Sequence, residues 1–285
     1  GRHEALAEVD LEVRRGEVFG FIGPNGAGKT TTIRLLLDLI RPTRGNVRVL
    51  GLDARRDGVA VRRRVGYLPG ELALYEDLTA AEQLHYLAAL RGAGAARIAP
   101  LARRLSLELD RPIRALSKGN KQKVGLIQAL MHEPELLILD EPTGGLDPLI
   151  QREFARLLEE ARERGQTVFL SSHVLGEVDR LADRVGLVRD GRIVLVDEVT
   201  ALKARLTRRL ELRFDVPPPP GAFERLPGVH AVEREGAHVT LTLDGPADAA
   251  VKEAARHRVL TLTSSEPDLD DLFLDLLDEG ADDAR

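Results

Sequence analysis

A short segment near the start of the chain has the composition of a phosphate-binding loop. It matches the pattern G-x-x-x-x-G-K-[ST] in full. Its residues, together with the one that follows, are Gly23, Pro24, Asn25, Gly26, Ala27, Gly28, Lys29, Thr30 and Thr31. Glycines let the backbone curl so that successive N–H groups face an anion, and a following helix presents its positive end to the same charge. We predict that Lys29 reaches the outer phosphates of a nucleoside triphosphate and that the Thr30 hydroxyl ligates Mg²⁺.

Two carboxylates follow an apolar run further along the chain. Residues 136–139 are all leucine or isoleucine, which predicts a buried strand, and Asp140 and Glu141 come directly after it. In doubly wound sheets, ligands bind at the carboxyl ends of the strands. Asp140 is therefore a candidate magnesium ligand, and Glu141 is a candidate base for an attacking water. Alone, the pair could equally be an acidic turn, but the phosphate loop upstream favours the site.

A third element lies between these two and narrows the class of nucleotide-binding protein. Ser117 beside Gly119 at a predicted helix start would form another anion cradle, although a serine cap alone has an ordinary structural explanation. The segment from Leu116 to Lys123 resembles the LSGGQ signature of the ATP-binding cassette (ABC) family, with Ser117 and Gly119 matching. Lys118 replaces a glycine of that signature, and Asn120 replaces its glutamine.

The remaining marks of the ABC family follow in order, and the resemblance covers roughly residues 1–200. Gly145, Leu146 and Asp147 resemble the D-loop, and His173 resembles the H-loop histidine. The resemblance implies ATP and Mg²⁺ as cofactors. It implies catalytic roles for Glu141, His173 and Lys29 and metal binding by Thr30 and Asp140. It implies nucleotide contacts from the phosphate loop and from Ser117, Gly119, Asn120 and Asp147.

Two departures from the family pattern affect these expectations. Where the family has a glutamine that touches the metal and the membrane partner, this chain has Gly70, and Glu71 or a water could take over its contact. The family also stacks adenine on an aromatic residue upstream of the phosphate loop. No Phe, Tyr or Trp precedes Phe19 here, so we expect that residue and the first strand to precede Gly1 in the natural protein.

The elements that position these residues alternate between strands and helices, which predicts an α/β fold with a P-loop NTPase sheet. We predict an ATPase domain over residues 1–205, with a helical subdomain over about 72–131. Near the start of the ATPase domain, residues 9–22 are predicted to form a strand hairpin. Residues 206–285 are predicted to form an accessory α+β domain of βαββαβ order, which is ferredoxin-like. That order includes a short helix over 222–226, and a final amphipathic helix is predicted from Pro267.

Composition excludes several classes of function. The 285 residues include no cysteine, so disulfides and thiolate chemistry are excluded. A net charge of −5 argues against strong sequence-independent binding of nucleic acid. No apolar run of about 18 residues is present in the sequence, so a transporter function requires a separate membrane protein.

The resemblance extends to the ATPase subunits of ABC-2-type exporters, the drug-resistance branch, whose tail the segment 266–274 also resembles. It implies a head-to-tail homodimer and an integral ABC-2-type permease as partners, with no nucleic acid. It places the subunit in the cytoplasm, peripheral on the inner face of the cell membrane, where it powers export of an unknown substrate. Two alternatives stay open at this point. One is a soluble ABC ATPase acting on nucleic acid or ribosomes, and the other is a regulatory ATPase.

Overall fold

The computed structural model describes residues 4–205 and 208–265. Contacts divide the chain into two units, of which the first ends at Asp197 and the second begins at Glu198. This division lies a few residues before the position that we predicted from the change in composition. Each unit has its own cluster of buried apolar side chains.

The first unit is built on a sheet with the strand order β4-β5-β6-β1-β7-β8. Its strands are β1 (Val18–Ile22), β4 (Val65–Leu68), β5 (Leu136–Asp140), β6 (Thr167–Ser172), β7 (Arg184–Arg189) and β8 (Arg192–Glu198). A small ladder pairs β2 (Arg48–Val49) with β3 (Leu52–Asp53). The five strands from β4 to β7 in this order pair in parallel, as the α/β prediction requires.

The central strands have the composition of strands covered on both faces. Every residue of β1 and of β5 is buried, and both strands consist almost entirely of apolar residues. The helices that accompany the sheet are α1 (Lys29–Leu36), α2 (Gly58–Arg63), α6 (Pro148–Glu163) and α7 (Leu175–Leu181). Since β1, β5 and β6 run in parallel, the loops after them leave the sheet at the same edge.

A helical insert separates β4 from β5. It contains α3 (Ala80–Arg91), α4 (Ala95–Arg104), a 3₁₀ turn at Ile113–Ala115 and α5 (Lys118–Leu130). The Thr79 hydroxyl accepts a hydrogen bond from the Glu82 N–H, and the Glu82 carboxylate accepts one from the Thr79 N–H. This reciprocal capping box fixes the start of α3.

An ion-pair cluster joins this insert to the body of the first unit. Arg104, the last residue of α4, donates to Glu153 at 2.5 Å and to both carboxylate oxygens of Glu160 at 2.7 and 2.8 Å. Both glutamates belong to α6. The cluster therefore ties α4 to a helix that packs on the central sheet.

The predicted hairpin over residues 9–22 is only half correct. β1 forms, but residues 9–13 adopt no strand. Leu11 and Val13 still pack against the core cluster, so their alternation reflects burial of one side of an extended segment. Apolar alternation specifies a buried face, and a strand also needs a hydrogen-bonding neighbour.

The second unit begins with α8 (Val199–Arg205), followed by an antiparallel sheet of order β10-β11-β9-β12. Its elements are β9 (Arg208–Phe214), β10 (Val229–Glu235), β11 (His238–Leu243), α9 (Asp248–Ala254) and β12 (Val259–Ser265). The strand order is that of a ferredoxin-like domain, as predicted. The final helix predicted from Pro267 lies outside the described residues.

The first crossover of this sheet lacks the helix predicted over residues 222–226. The segment forms successive turns instead, with Phe223 fully buried against Phe214. Gly221 and Gly228, both with positive φ, flank the segment. The six residues between these glycines offer little length over which to offset the cost of nucleating a helix.

Candidate functional site

The phosphate loop joins β1 to α1 at the carboxyl edge of the parallel sheet. Gly28 stands at the start of α1 with φ 111°, a conformation that side chains rarely tolerate. A Cβ at this position would lie 2.5 Å from the Leu6 side chain. Glycine is therefore required here by the backbone conformation, and any Cβ would also displace the Leu6 side chain. The first turn of α1 directs free N–H groups toward the loop, which suits an anion.

Lys29 is held against the loop that precedes it. Its Nζ donates to the carbonyl oxygen of Gly23 at 2.6 Å and to that of Pro24 at 3.2 Å. The same Nζ lies 3.7 Å from a carboxylate oxygen of Glu141. The loop thus places a nearly buried positive charge beside the predicted phosphate cradle.

The two predicted magnesium ligands are in direct contact. Thr30 Oγ1 donates to Asp140 Oδ2 at 2.9 Å, and Ser171 donates its hydroxyl to the other Asp140 oxygen. Burial raises the pKa of Tyr67 on the neighbouring strand β4, and the negative charge of Asp140 raises it further. A hydroxyl and a carboxylate of this kind fit Mg²⁺, which takes few protein oxygens and completes its shell with phosphate and water. Within residues 4–205 and 208–265, no cluster of three or more histidines, cysteines or acids forms an additional all-protein metal site.

Glu141 and His173 meet at the same edge. His173 Nδ1 lies 2.6 Å from Glu141 Oε2, and both side chains are partly exposed. Glu141 has φ 50°, an uncommon conformation for a non-glycine residue, and its backbone is fixed by hydrogen bonds. Its N–H donates to the Ser171 carbonyl at 3.1 Å, and its own carbonyl accepts from the Gln122 amide at 3.3 Å.

Gly70 lies beside this centre, as its alignment with the family glutamine predicts. A Cβ on Gly70 would approach Asp140 Oδ2 to 3.3 Å. The backbone therefore passes the candidate magnesium carboxylate at close range without contributing a side chain. The neighbouring Glu71 is exposed.

The signature segment forms a separate patch of the same unit. Ser117 is exposed and caps α5 by accepting a hydrogen bond from the Asn120 N–H at 3.3 Å. Gly119 packs against Gly145, where a Cβ would lie 2.4 Å from the Gly145 carbonyl oxygen. Asp147 caps α6 by accepting from the N–H groups of Leu149 and Ile150. Across the described part of the chain, no hydrogen bond joins residues 117–120 or Asp147 to the phosphate loop.

Several polar residues that hold this site were not predicted from the sequence. Ser171 and Ser172 end the buried strand β6, and Thr143 and Glu177 contact each other nearby. The serines had a usable signal, since hydroxyls at the carboxyl end of a buried strand belong to the ligand edge. Glu177 had none beyond being an acid in the first turn of a helix.

Comparison with known proteins agrees with this arrangement. A sequence profile for the family described as ABC transporter matches residues 6–144. The bacitracin transport ATP-binding protein of Bacillus licheniformis is 38% identical over 218 residues, which cover 75% of this chain and 71% of that protein. The lantibiotic transport ATP-binding protein of Streptococcus pyogenes is 37% identical over 201 residues, or 70% of this chain and 86% of that protein.

Solved structures give the same result. An ATP-binding subunit of an ABC transporter superposes with a TM-score of 0.66 at 34% identity, covering 70% of this chain and 85% of that chain. The dimeric cassette MJ0796 superposes with a TM-score of 0.64 at 26% identity, covering 68% and 90%. The phosphate loop, the two carboxylates and the histidine thus occur in the expected order on the expected fold. The chain belongs to the ABC transporter family and is one of its ATP-binding, ATP-hydrolysing subunits.

Proposed function

We propose that this subunit hydrolyses magnesium-bound ATP to power export of a substrate through a separate ABC-2-type permease. The free N–H groups of the phosphate loop and of the first turn of α1 would bind the phosphates, and Lys29 would neutralise the outer ones. Thr30 and Asp140 would hold Mg²⁺, which supplies charge neutralisation on the phosphate oxygens when bound.

The residues of the chain divide the remaining chemistry between them. The Glu141 carboxylate would accept a proton from the attacking water, and His173 would contact the γ-phosphate. The 2.6 Å contact between the two side chains supports this assignment, because it brings base and phosphate contact into one centre. Lys29 and His173 would stabilise the charge that develops on the transferred group.

The second patch of the unit supports a head-to-tail homodimer. Ser117 and Asp147 are exposed, and together with Gly119 and Asn120 they form a polar surface apart from the phosphate loop. In a dimer, this surface of one copy would close over the nucleotide of the other copy. The related cassette MJ0796 forms a dimer, which agrees with the proposal.

The helical insert supports a permease contact. Tyr75 and Tyr86 are about half exposed and pack edge to face with ring centres 6.1 Å apart, and Leu90 is exposed one turn further along α3. Exposed aromatic pairs of this kind are enriched at protein interfaces. We therefore place the permease contact over the segment 70–75 and the insert that follows it, up to about residue 115.

No helix in the described residues combines the length and the apolar composition needed to cross a bilayer. We propose that the subunit lies in the cytoplasm and is held at the inner face of the membrane by the permease. The relatives whose names refer to bacitracin and lantibiotic transport favour a peptide antibiotic or another drug as the cargo.

The single observation that carries the proposal is the convergence of Lys29, Asp140 and Glu141 at the end of the phosphate loop. Steady-state ATP hydrolysis by the purified chain and its Glu141→Gln variant tests the chemistry. We expect the variant to bind ATP and to lose at least about 100-fold in kcat, because it lacks the general base. A variant that hydrolyses ATP at the original rate would contradict the assignment.

Affinity purification of the tagged subunit from detergent-solubilised membranes tests the transport partner. An integral membrane protein is expected to co-purify, and Tyr86→Asp is expected to reduce its recovery. Glu159→Ala, which alters an exposed glutamate on α6, is the matched control. Recovery of the subunit with no integral membrane protein would contradict the permease proposal.

A further inference from the structure

The carboxylate of Glu177 contacts both loops that carry Glu141 and His173. Glu177 belongs to the first turn of α7. One of its carboxylate oxygens accepts a hydrogen bond from the Thr143 hydroxyl, and the other accepts one from the Ser172 hydroxyl at 3.2 Å. Thr143 stands two residues after Glu141, and Ser172 directly precedes His173. The contact therefore links the loop after β5 to the end of β6.

The linked residues and the reacting residues differ in how firmly they are held. Ser172 is fully buried and Thr143 is 8% exposed, so both are fixed by their surroundings. The side chains of Glu141 and His173 are 28% and 55% exposed, so packing alone constrains them less. Glu141 also keeps a φ of 50°, which persists in proteins only where neighbouring contacts impose it.

We infer that Glu177 is a positioning residue for ATP hydrolysis. By bonding to both loops, it fixes the positions of Glu141 and His173 relative to each other. The inference rests on the proposed roles of those two residues. Each oxygen of Glu177 fixes one loop, so the carboxylate sets the distance between them. A displacement of about 1 Å at a reacting group can cost about 100-fold in rate. A change in the relative positions of Glu141 and His173 should therefore reduce turnover.

A purely local role for Glu177 makes a different prediction. An acid in the first turn of a helix interacts favourably with the positive end of the helix dipole. If that were its only role, the neutral Glu177→Gln would be as impaired as Glu177→Ala. If the two hydrogen bonds matter, glutamine should serve, because its amide can accept from Thr143 and donate to Ser172.

The test is steady-state ATP hydrolysis by the purified chain and its variants. We expect Glu177→Ala to lower kcat by about 10- to 100-fold with KM for ATP within about twofold of the original. Glu177→Gln is expected to retain most of kcat. Glu159→Ala is the matched control and is expected to behave as the unaltered chain.

A double-mutant cycle adds a second readout. If Glu177 acts through His173, then Glu177→Ala should cost much less in a His173→Ala background than in the unaltered chain. Should Glu177→Ala fail to fold, Thr143→Val and Ser172→Ala each remove one of the two hydroxyls and are expected to lower kcat in the same way.

Three results would overturn the inference while leaving the proposed function in place. They are an unchanged kcat in Glu177→Ala, a rise in KM with kcat retained, and equal losses in the Ala and Gln variants. If instead Glu141→Gln hydrolyses ATP like the unaltered chain, the proposed function fails first and the inference falls with it.

Discussion

At the scale of single residues, the site depends on charges held by backbone groups. Lys29 illustrates this, since two carbonyl oxygens of its own loop fix the ammonium group beside the phosphate cradle. Hydrogen bonds to charged groups contribute about 1.5–3 kcal/mol. Lys29→Ala should therefore weaken ATP binding by about 10- to 100-fold. Fluorescent-nucleotide titration measures this, and affinity equal to that of the unaltered chain would contradict the role given to Lys29.

Gly119 is a residue at which adding a single methyl group should be costly. A Cβ there would meet the Gly145 carbonyl oxygen at 2.4 Å, and both partners are backbone, so the contact can be relieved only by moving a loop. We expect Gly119→Ala to cost about 1–3 kcal/mol of unfolding free energy. Gly176→Ala is the control, because nothing lies within 4 Å of a Cβ at that helical position. Urea denaturation distinguishes the two, and equal stability would contradict the packing argument.

The sequence could predict those site residues that directly follow a recognisable strand. The phosphate loop, Asp140 and Glu141 were identified because each follows an apolar strand, and parallel strands end at one edge. Ser171 was missed although its place at the end of a buried strand was a usable signal, whereas Glu177 was missed because its partner Thr143 lies 34 residues away in the chain. No local spacing rule connects such pairs. The roles of Ser117, Gly119, Asn120 and Asp147 at a nucleotide remain predictions.

At the scale of elements, the predicted strands and helices of the first unit agree well with the structure. The continuous apolar run over residues 136–139 predicted β5, and β1 forms within the segment predicted as a hairpin over 9–22. The strand predicted over residues 9–13 and the helix predicted over 222–226 failed for a common reason. Both predictions rested on side-chain pattern alone, and neither segment has the backbone partners or the length that the element requires.

His132 makes the contact between the end of α5 and strand β4 sensitive to acid. Burial, reinforced by the positive charge of Arg91, lowers the pKa of His132 from 6.5 to about 4. Between these values, the unfolded chain binds a proton that the folded chain does not, so stability falls as the pH drops from 6.5 toward 4. The loss should reach about 3 kcal/mol.

His132→Gln should remove this component of the acid sensitivity. We expect a flatter dependence of unfolding free energy on pH over that interval, measured by urea denaturation at several pH values. His85→Gln, at an exposed position on α3, is the control for replacing a histidine by glutamine. An identical pH dependence in His132→Gln and the unaltered chain would contradict the assignment.

At the scale of the whole molecule, two buried clusters imply two units of stability. Phe223 is fully buried in the cluster of the second unit, against Phe214 and strand residues of the sheet. We expect Phe223→Ala to destabilise that unit by about 3–5 kcal/mol. Calorimetry should show one transition moving to lower temperature while the transition of the ATPase unit stays in place. Val251→Ala, at an exposed position on α9, is the control, and a shift of both transitions would contradict the division.

The cluster of Arg104, Glu153 and Glu160 has a mechanical consequence. Its hydrogen bonds raise the pKa of Arg104 and lower that of Glu160, so the charges persist across the ordinary pH range. All three side chains are nevertheless partly exposed, and dissolved ions screen such attractions. The elastic stiffness with which the helical insert is attached therefore decreases as ionic strength rises. An insert that acts as a lever on a membrane partner would transmit less force in concentrated salt.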